Sequence, residues 1–161
     1  MDSQLLRSEE LGIRLEIVAG LPVWEASPVI AHQEAVDRIR ASIKKSVESK
    51  KLCHCLHYAD IYVQFPEGSL KRPDISIFCE KPLEREEAVT KIPDAVIEIL
   101  SKSYEKKDLE IGIPFYISQG VKDIVVFNPY TNEVLHFRDG EKREITSPVE
   151  IEFACGCGCV V

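Results

Sequence analysis

Two carboxylates in this chain sit where their neighbours do not explain them. Asp74 enters the apolar run 75–78, and Glu98 lies inside the run 95–100, between Ile97 and Ile99. Both runs are short and rich in Ile and Val, the pattern of buried strands. A charge inside a buried strand costs several kcal/mol unless it is paired or bound to a metal. Two such groups on adjacent strands would offer oxygen ligands to a hard divalent cation, Mg²⁺ or its substitute Mn²⁺. Each residue also has an ordinary reading. Asp74 follows Pro73 and could be a turn residue, whereas a structural Glu98 would need a partner such as an arginine. Asp94 fits a strand entry. Asp108 could cap a helix or form a salt bridge, His32 could start a helix or pack, and Tyr116 fits a core ring with its hydroxyl at the surface.

The surrounding stretches predict the elements that must hold these residues. Leu11, Ile13, Leu15 and Ile17 alternate with polar residues, as in a short strand or arm. Residues 31–51 read as a helix, with Ala35, Ile39, Ile43 and Val47 recurring every four positions and Val36 widening the stripe. Residues 52–65 read as one strand, rich in Tyr, Ile and Val. Turn residues at 66–68 precede the strand that Asp74 enters, and a charged loop leads on to the strand that holds Glu98. Residues 104–119 read as a second helix with Leu109, Ile113 and Tyr116 inward. Gly112 and Pro114 are poor interior residues there, so Pro114 should kink the helix or start a new segment. Gly120 is a C-cap candidate. Strands at 121–128 and 134–138 follow, Asp139-Gly140 is a hairpin signal, and 149–161 reads as a last strand. The second helix is long enough for a parallel crossover. The order therefore predicts an α/β fold with a mixed central sheet flanked by helices.

At 161 residues the chain reads as a single domain over 1–161, with its core at about 20–140 and a cysteine-rich tail at 149–161. A hydrophobic content of 45% and a charged content of 29% are ordinary for a globular protein. No stretch is apolar enough to span a membrane, and the charged first ten residues lack a signal-peptide core, so the cytoplasm is the expected location. The net charge of −7 counts against strong unaided DNA binding, because phosphate contacts dominate such affinity. The cysteines fall at 53, 55, 79, 155, 157 and 159 and are expected to be reduced thiols rather than a disulfide framework. Zinc is disfavoured at residues 53–57, CHCLH. Zinc ligands are usually spaced as CxxC or HxxxH pairs, and a strand would split His54 and His57 between faces. Only a tail paired near Cys53 and Cys55 would make a structural zinc more credible.

Asp74 in RPDISIF, Glu98 in PDAVIEILS, and Asp108 and Tyr116 downstream form an ordered set that resembles the Uma-two family of the PD-(D/E)xK nuclease superfamily. His32 after the Ser-Pro pair and the strand GVKDIVVFNP also match its layout, and the resemblance covers about residues 20–140. It implies a restriction-endonuclease-like core that hydrolyses phosphodiester bonds of DNA with Mg²⁺. Asp74 and Glu98 would bind the metal, and Glu34 on the first helix, or Glu25 before it, would complete the shell. A lysine would orient the attacking water or stabilise developing charge. Here the chain departs from the family. The position two after Glu98 is Leu100, and the position four after Asp108, where this family typically carries its lysine, is Gly112. Lys102, Lys106 and Lys107 are the nearby replacements, with Lys107 favoured over Lys102. Analogy with restriction enzymes adds the expectation of a homodimer. The alternative is a degenerate nuclease fold that serves as an interaction or accessory module.

Overall fold

Strand alternation sorts the apolar residues onto the two faces of one sheet. The structure is a computed structural model that describes residues 7–8, 10–25, 27–102 and 107–161. Its strands are β1 (Leu15–Val18), β2 (Leu21–Trp24), β3 (Lys44–Lys45), β4 (Leu56–Ala59), β5 (Val63–Gln64), β6 (Leu70–Lys71), β7 (Ile75–Phe78), β8 (Ala95–Ile99), β9 (Asp123–Asn128), β10 (Glu133–Arg138), β11 (Glu141–Thr146), β12 (Glu150–Glu152) and β13 (Cys157–Val160). The helices are α1 (Ile30–Ser42), a π-helical turn at Lys107–Gly112, and α2 (Ile113–Ser118). Six strands form the central sheet in the order β11-β10-β9-β8-β7-β4. The pairing is antiparallel throughout except between β8 and β9, which run parallel across the helical crossover. This is the predicted mixed α/β architecture.

Ile75, Ile77, Ile97 and Val125 point to one face, where Ala35, Val36 and Ile39 of α1 cover them. Phe78, Val96, Ile124 and Val126 point to the other, against Ile113, Phe115 and Tyr116. The chain end also enters the α1 face, with Ile151, Phe153 and Val161 all buried. Smaller sheets, β2-β1-β6-β5 and β12-β13-β3, flank the central one.

The first helix is shorter than its periodicity predicts. It stops at Ser42 because Ile43 is extended (φ −65°, ψ 122°). The Ser42 hydroxyl donates to the Ile39 carbonyl (2.7 Å) and accepts the Val160 N–H (2.8 Å). Lys44 and Lys45 then pair with β13 instead of extending the helix, and Val47 of the expected stripe is 95% exposed. The strand read at 52–65 is broken at Asp60, whose φ is +60°. Arg72 grips the Asp60 carboxylate (Nε–Oδ1 2.8 Å) and holds the bend. The second helix changes register where Gly112 and Pro114 stand; of its expected start, residues 103–106 lie outside the described residues. Gly120 closes it as read, with φ +81° and its N–H on the Ile117 carbonyl (3.1 Å). Asp139 and Gly140 both take positive φ, as a two-residue hairpin turn requires. The cysteines depart from the expected free thiols, because Cys53 is joined to Cys79 and Cys55 to Cys157. No helix among the described residues is long and apolar enough to cross a membrane.

Asp123, fully buried at the start of β9, ties the chain end to the sheet. It accepts from the Ala154 N–H (2.7 Å) and Arg138 Nε (2.7 Å), and His136 Nε2 lies 2.7 Å away. Burial pushes its carboxyl up, but these bonds outweigh burial and hold it below the usual 3.8. The stabilisation is therefore present above pH 3.8 and lost as pH falls from there through the folded value. Asp123→Ala should cost about 2–3 kcal/mol at pH 7, read as a lower urea midpoint.

Candidate active site

The pairing of β7 with β8 creates the acidic pair. Ile75 faces Ile97 and Ser76 faces Val96, so one step further Asp74 faces Glu98. The Asp74 N–H donates to Glu98 Oε2 (3.3 Å), and the Ile99 N–H donates to Asp74 Oδ2 (2.7 Å). Glu98 shares its sheet face with Val96 and is 4% exposed. Tyr116 donates its hydroxyl to Glu98 Oε1 (2.6 Å), so that hydroxyl is buried rather than at the surface. His32, on the inner side of α1, sets its Nε2 3.1 Å from Asp74 Oδ1. His32 is thus part of the site rather than a packing residue alone.

Lys107 reaches the same depression, which Arg14, Glu25, His32, Ser101 and Asp108 also line. Its Nζ lies 3.1 Å from Glu25, 3.2 Å from Asp108 and 3.6 Å from Glu16. The local winding explains how. In an α-helix, residues 107 and 112 would be about 140° apart around the axis. A π turn closes residue i on i+5, so positions five apart come close to stacking. A Cβ at Gly112 would sit 3.7 Å from the Lys107 carbonyl oxygen. The Lys107 carbonyl therefore lies beneath Gly112, and the wider winding brings the two positions closer around the axis than α-helical spacing implies.

Beneath the site lies a second charged pair that the sequence reading missed. Glu16 and Lys71 are both almost fully buried and joined to each other. The Arg72 N–H donates to Glu16 Oε1 (2.7 Å), and Lys71 Nζ sits 5.2 Å from the centre of the Tyr116 ring. Glu16 looks outward by strand alternation and Lys71 is one of many lysines. Only the packing of β1 and β6 over the sheet brings them inside.

The electrostatics follow from burial and crowding. Burial, then the Asp74 and Asp108 carboxylates, push Glu98 well above its usual range. Burial also raises Asp108, against the pull of Lys107. Burial and the Glu16 charge push Glu25 up to about 7. Burial works against the charge of Glu16 too, but Lys71 and Lys107 reverse it and hold Glu16 low. Burial would lower Lys107, yet its four acidic neighbours raise it above the usual lysine range. Five carboxylates (Glu16, Glu25, Asp74, Glu98, Asp108) thus share two ammonium groups (Lys71, Lys107). Asp108 Oδ1 is buried, with the Lys107 ammonium 3.2 Å away.

That excess of buried carboxyl groups fits a cation. Mg²⁺ needs only one or two protein carboxylates plus waters, and Asp74 and Glu98 supply two from neighbouring strands. Among the described residues, the groups of three or more ligand atoms within 4.8 Å of one another are all made of cysteines, so the acidic residues meet as a pair and not as a closed cage. Glu34 is on the exposed face of α1 and does not line the depression; two residues earlier, His32 takes the inward position. Lys102 is exposed beyond the end of β8 and does not line it either. Asp94 is a strand-entry residue as read, accepting the Cys79 N–H (2.7 Å).

A sheet with this topology and an acidic pair at the join of two strands defines a restriction-endonuclease-like fold. The structure is similar to a crystal structure from Anabaena variabilis, described as "a putative nuclease belonging to DUF820". The TM-score is 0.64 and the identity 19%, over 85% of this chain and 79% of that one. The family model Uma2, described as "Putative restriction endonuclease", matches residues 2–153. The chain belongs to the Uma2 family. No curated protein sequence matches it.

The raised Glu98 makes a stability prediction. A carboxyl whose folded pKa exceeds the unfolded 4.5 binds protons on folding, so its ionisation costs stability as pH rises from 4.5 through the folded value. In metal-free buffer, Glu98→Gln should melt above the wild type by several degrees at pH 8 and level with it near pH 4. A variant that melts lower at pH 8 would show that the Glu98 charge is needed as an ion-pair partner.

Proposed function

We propose that this chain is a Mg²⁺-dependent endonuclease acting on DNA, with Asp74 and Glu98 holding the metal. The observation that carries this reading is the facing pair Asp74–Glu98 with Lys107 in the same depression. A divalent cation bound there would polarise the scissile phosphate and lower the pKa of an attacking water. The chain's own residues do the positioning. The Ile99 N–H and His32 fix the Asp74 carboxylate, and Tyr116 fixes that of Glu98. Each acceptor oxygen keeps a lone pair free. Lys107 offers an ammonium for the water or for charge developing on the phosphate, as the family's lysine would from position 112. Glu25, pushed up to about 7, can take up a proton in the neutral range beside Lys107.

One observation favours a second reading, a degenerate fold used for interaction. The Lys107 ammonium is already within 3.6 Å of three carboxylates. Displacing it towards a phosphate would leave Glu25 and Asp108 without that cation unless the metal replaces it, while Glu16 keeps Lys71.

Calorimetry with Mg²⁺ and Mn²⁺ should show binding in the wild type and none in Asp74→Asn/Glu98→Gln. Lys107→Met should keep metal binding but lower cleavage of plasmid DNA by about a hundredfold or more, while Lys102→Met leaves cleavage unchanged. Metal binding without cleavage of any DNA or RNA tested would favour the degenerate reading. Metal affinity should also rise with pH through about 7, as Glu25 becomes negative, and this step should be absent in Glu25→Gln.

A further inference from the structure

The sulfur atoms gather at the far end of β7, away from the acidic pair. Cys79 directly follows β7, and Cys53 and Cys55 directly precede its partner β4. Leu56 faces Phe78 in that pairing; Cys55 then takes a positive φ, the His54 N–H donates to the Cys79 carbonyl (3.0 Å), and Cys53 lies against Cys79, with Cα atoms 4.2 Å apart. The third contribution comes from the chain end. Phe153 and Cys157 close a turn (Phe153 N–H to Cys157 carbonyl, 2.7 Å), which brings Cys155 and Cys157 to the same place. Gly156 makes that turn possible. Its φ is +95°, and a Cβ there would collide with Ser49. The sequence expectation against zinc rested on the spacing within CHCLH alone; the chain end supplies the converging ligands that this spacing lacks.

The Sγ atoms of Cys53, Cys55 and Cys157 lie within 4.8 Å of one another, and so do those of Cys53, Cys79 and Cys155. The two pairs that the structure joins, Cys53–Cys79 and Cys55–Cys157, are themselves in contact, with Cys53 and Cys157 sulfurs 3.2 Å apart. A fifth sulfur, that of Cys155, is free beside them. A tetrahedral metal accounts for the clustering itself. With Zn–S bonds of about 2.3 Å, four thiolates stand about 3.8 Å from one another; Cys53, Cys55 and Cys157 already lie within 4.8 Å of one another, and Cys79, joined to Cys53, must close on the other two when the disulfides open. The histidines do not compete, since His54 is exposed and His57 is engaged by Arg40 (3.3 Å).

We propose that, in the reduced protein, Cys53, Cys55, Cys79 and Cys157 form a closed structural site for Zn²⁺ or a similar thiophilic divalent cation, with Cys155 adjacent. The reaction is Zn²⁺ plus four thiols giving the tetrathiolate and four protons. No electron transfer is involved, and the same four sulfurs cannot serve as disulfides while they hold the metal. Four protein ligands leave no open position, so the role is to pin the chain end to the edge of the sheet rather than to catalyse. Lys45, which pairs with Cys157, and Lys51, bonded to the Ala154 carbonyl, bring positive charge to the surrounding segments.

The test uses the full chain purified under a non-thiol reductant. After loading with Zn²⁺ and exhaustive dialysis, elemental analysis should give one zinc per chain. Co²⁺ in its place should give thiolate charge-transfer absorption. Asp74→Asn/Glu98→Gln should retain that zinc, which separates this site from the acidic one, and Cys55→Ser/Cys157→Ser should lose it. Because the serine variant could fail to fold, the wild type supplies an independent reading: zinc should shield four thiols from a thiol reagent, and a mercurial should release it. Reduced protein that holds no zinc after dialysis would overturn the proposal. So would zinc that leaves all six thiols reactive, or zinc retained in a folded serine variant.

Discussion

The register between β7 and β8 is the constraint on which the rest depends. It is fixed by apolar residues: Ile75 and Ile77 must face α1 and Phe78 must face α2, and a slip of one residue would turn every side chain to the wrong side. That same register leaves Asp74 opposite Glu98. The sheet therefore cannot form without bringing two carboxylates together in a place where water is scarce. Much of the surrounding structure answers that problem. The Ile99 N–H, the Tyr116 hydroxyl and the His32 ring each take one carboxylate oxygen. Lys71 and Lys107 bring positive charge from below and from the side. Even so, Glu98 and Asp108 are held above their usual range. A cation there would offset the repulsion from Asp74 and Asp108, though not the burial that contributes most.

How much of this was legible in the sequence depends on where each partner lies. Asp74 and Glu98 were legible because a charge interrupting a run of Ile and Val is anomalous by itself. The crossover helix, the Gly120 cap and the Asp139-Gly140 turn were legible because their signals are local. The end of α1 was not. Nothing in residues 42–51 forbids another turn of helix; what stops it is Val160, 118 positions away, bonded to Ser42. The Glu16–Lys71 pair spans 55 positions, and each member is unremarkable in its own strand. Glu34 and His32 show a subtler limit. Two residues apart on one helix, only one can face the sheet, and it is His32, while Glu34 is exposed. Tyr116 was read as a core ring, correctly, but its hydroxyl was assigned to water because the acid it meets comes from a different strand.

The strand β7 has two chemically different ends. At its start is an oxygen-rich depression and just past its finish are sulfurs, with only four strand residues between. Those four residues are fully buried, and they are among the least free to move in the chain. The acidic end lies within the span that the family model matches. The sulfur end draws on the last residues of the chain, of which Ala154 onwards lie past the matched span.

The π turn at Lys107–Gly112 separates two things that are usually treated as one, the distance between residues along the chain and their distance in space. A family pattern written as a spacing encodes a helix wound in the ordinary way. Wind the helix one residue wider and the pattern shows a gap at Gly112, although Lys107, which begins that turn, lines the depression. Counting positions from the aspartate would then overlook an ammonium group placed in this way. A comparison of where ammonium groups sit relative to the paired carboxylates would not.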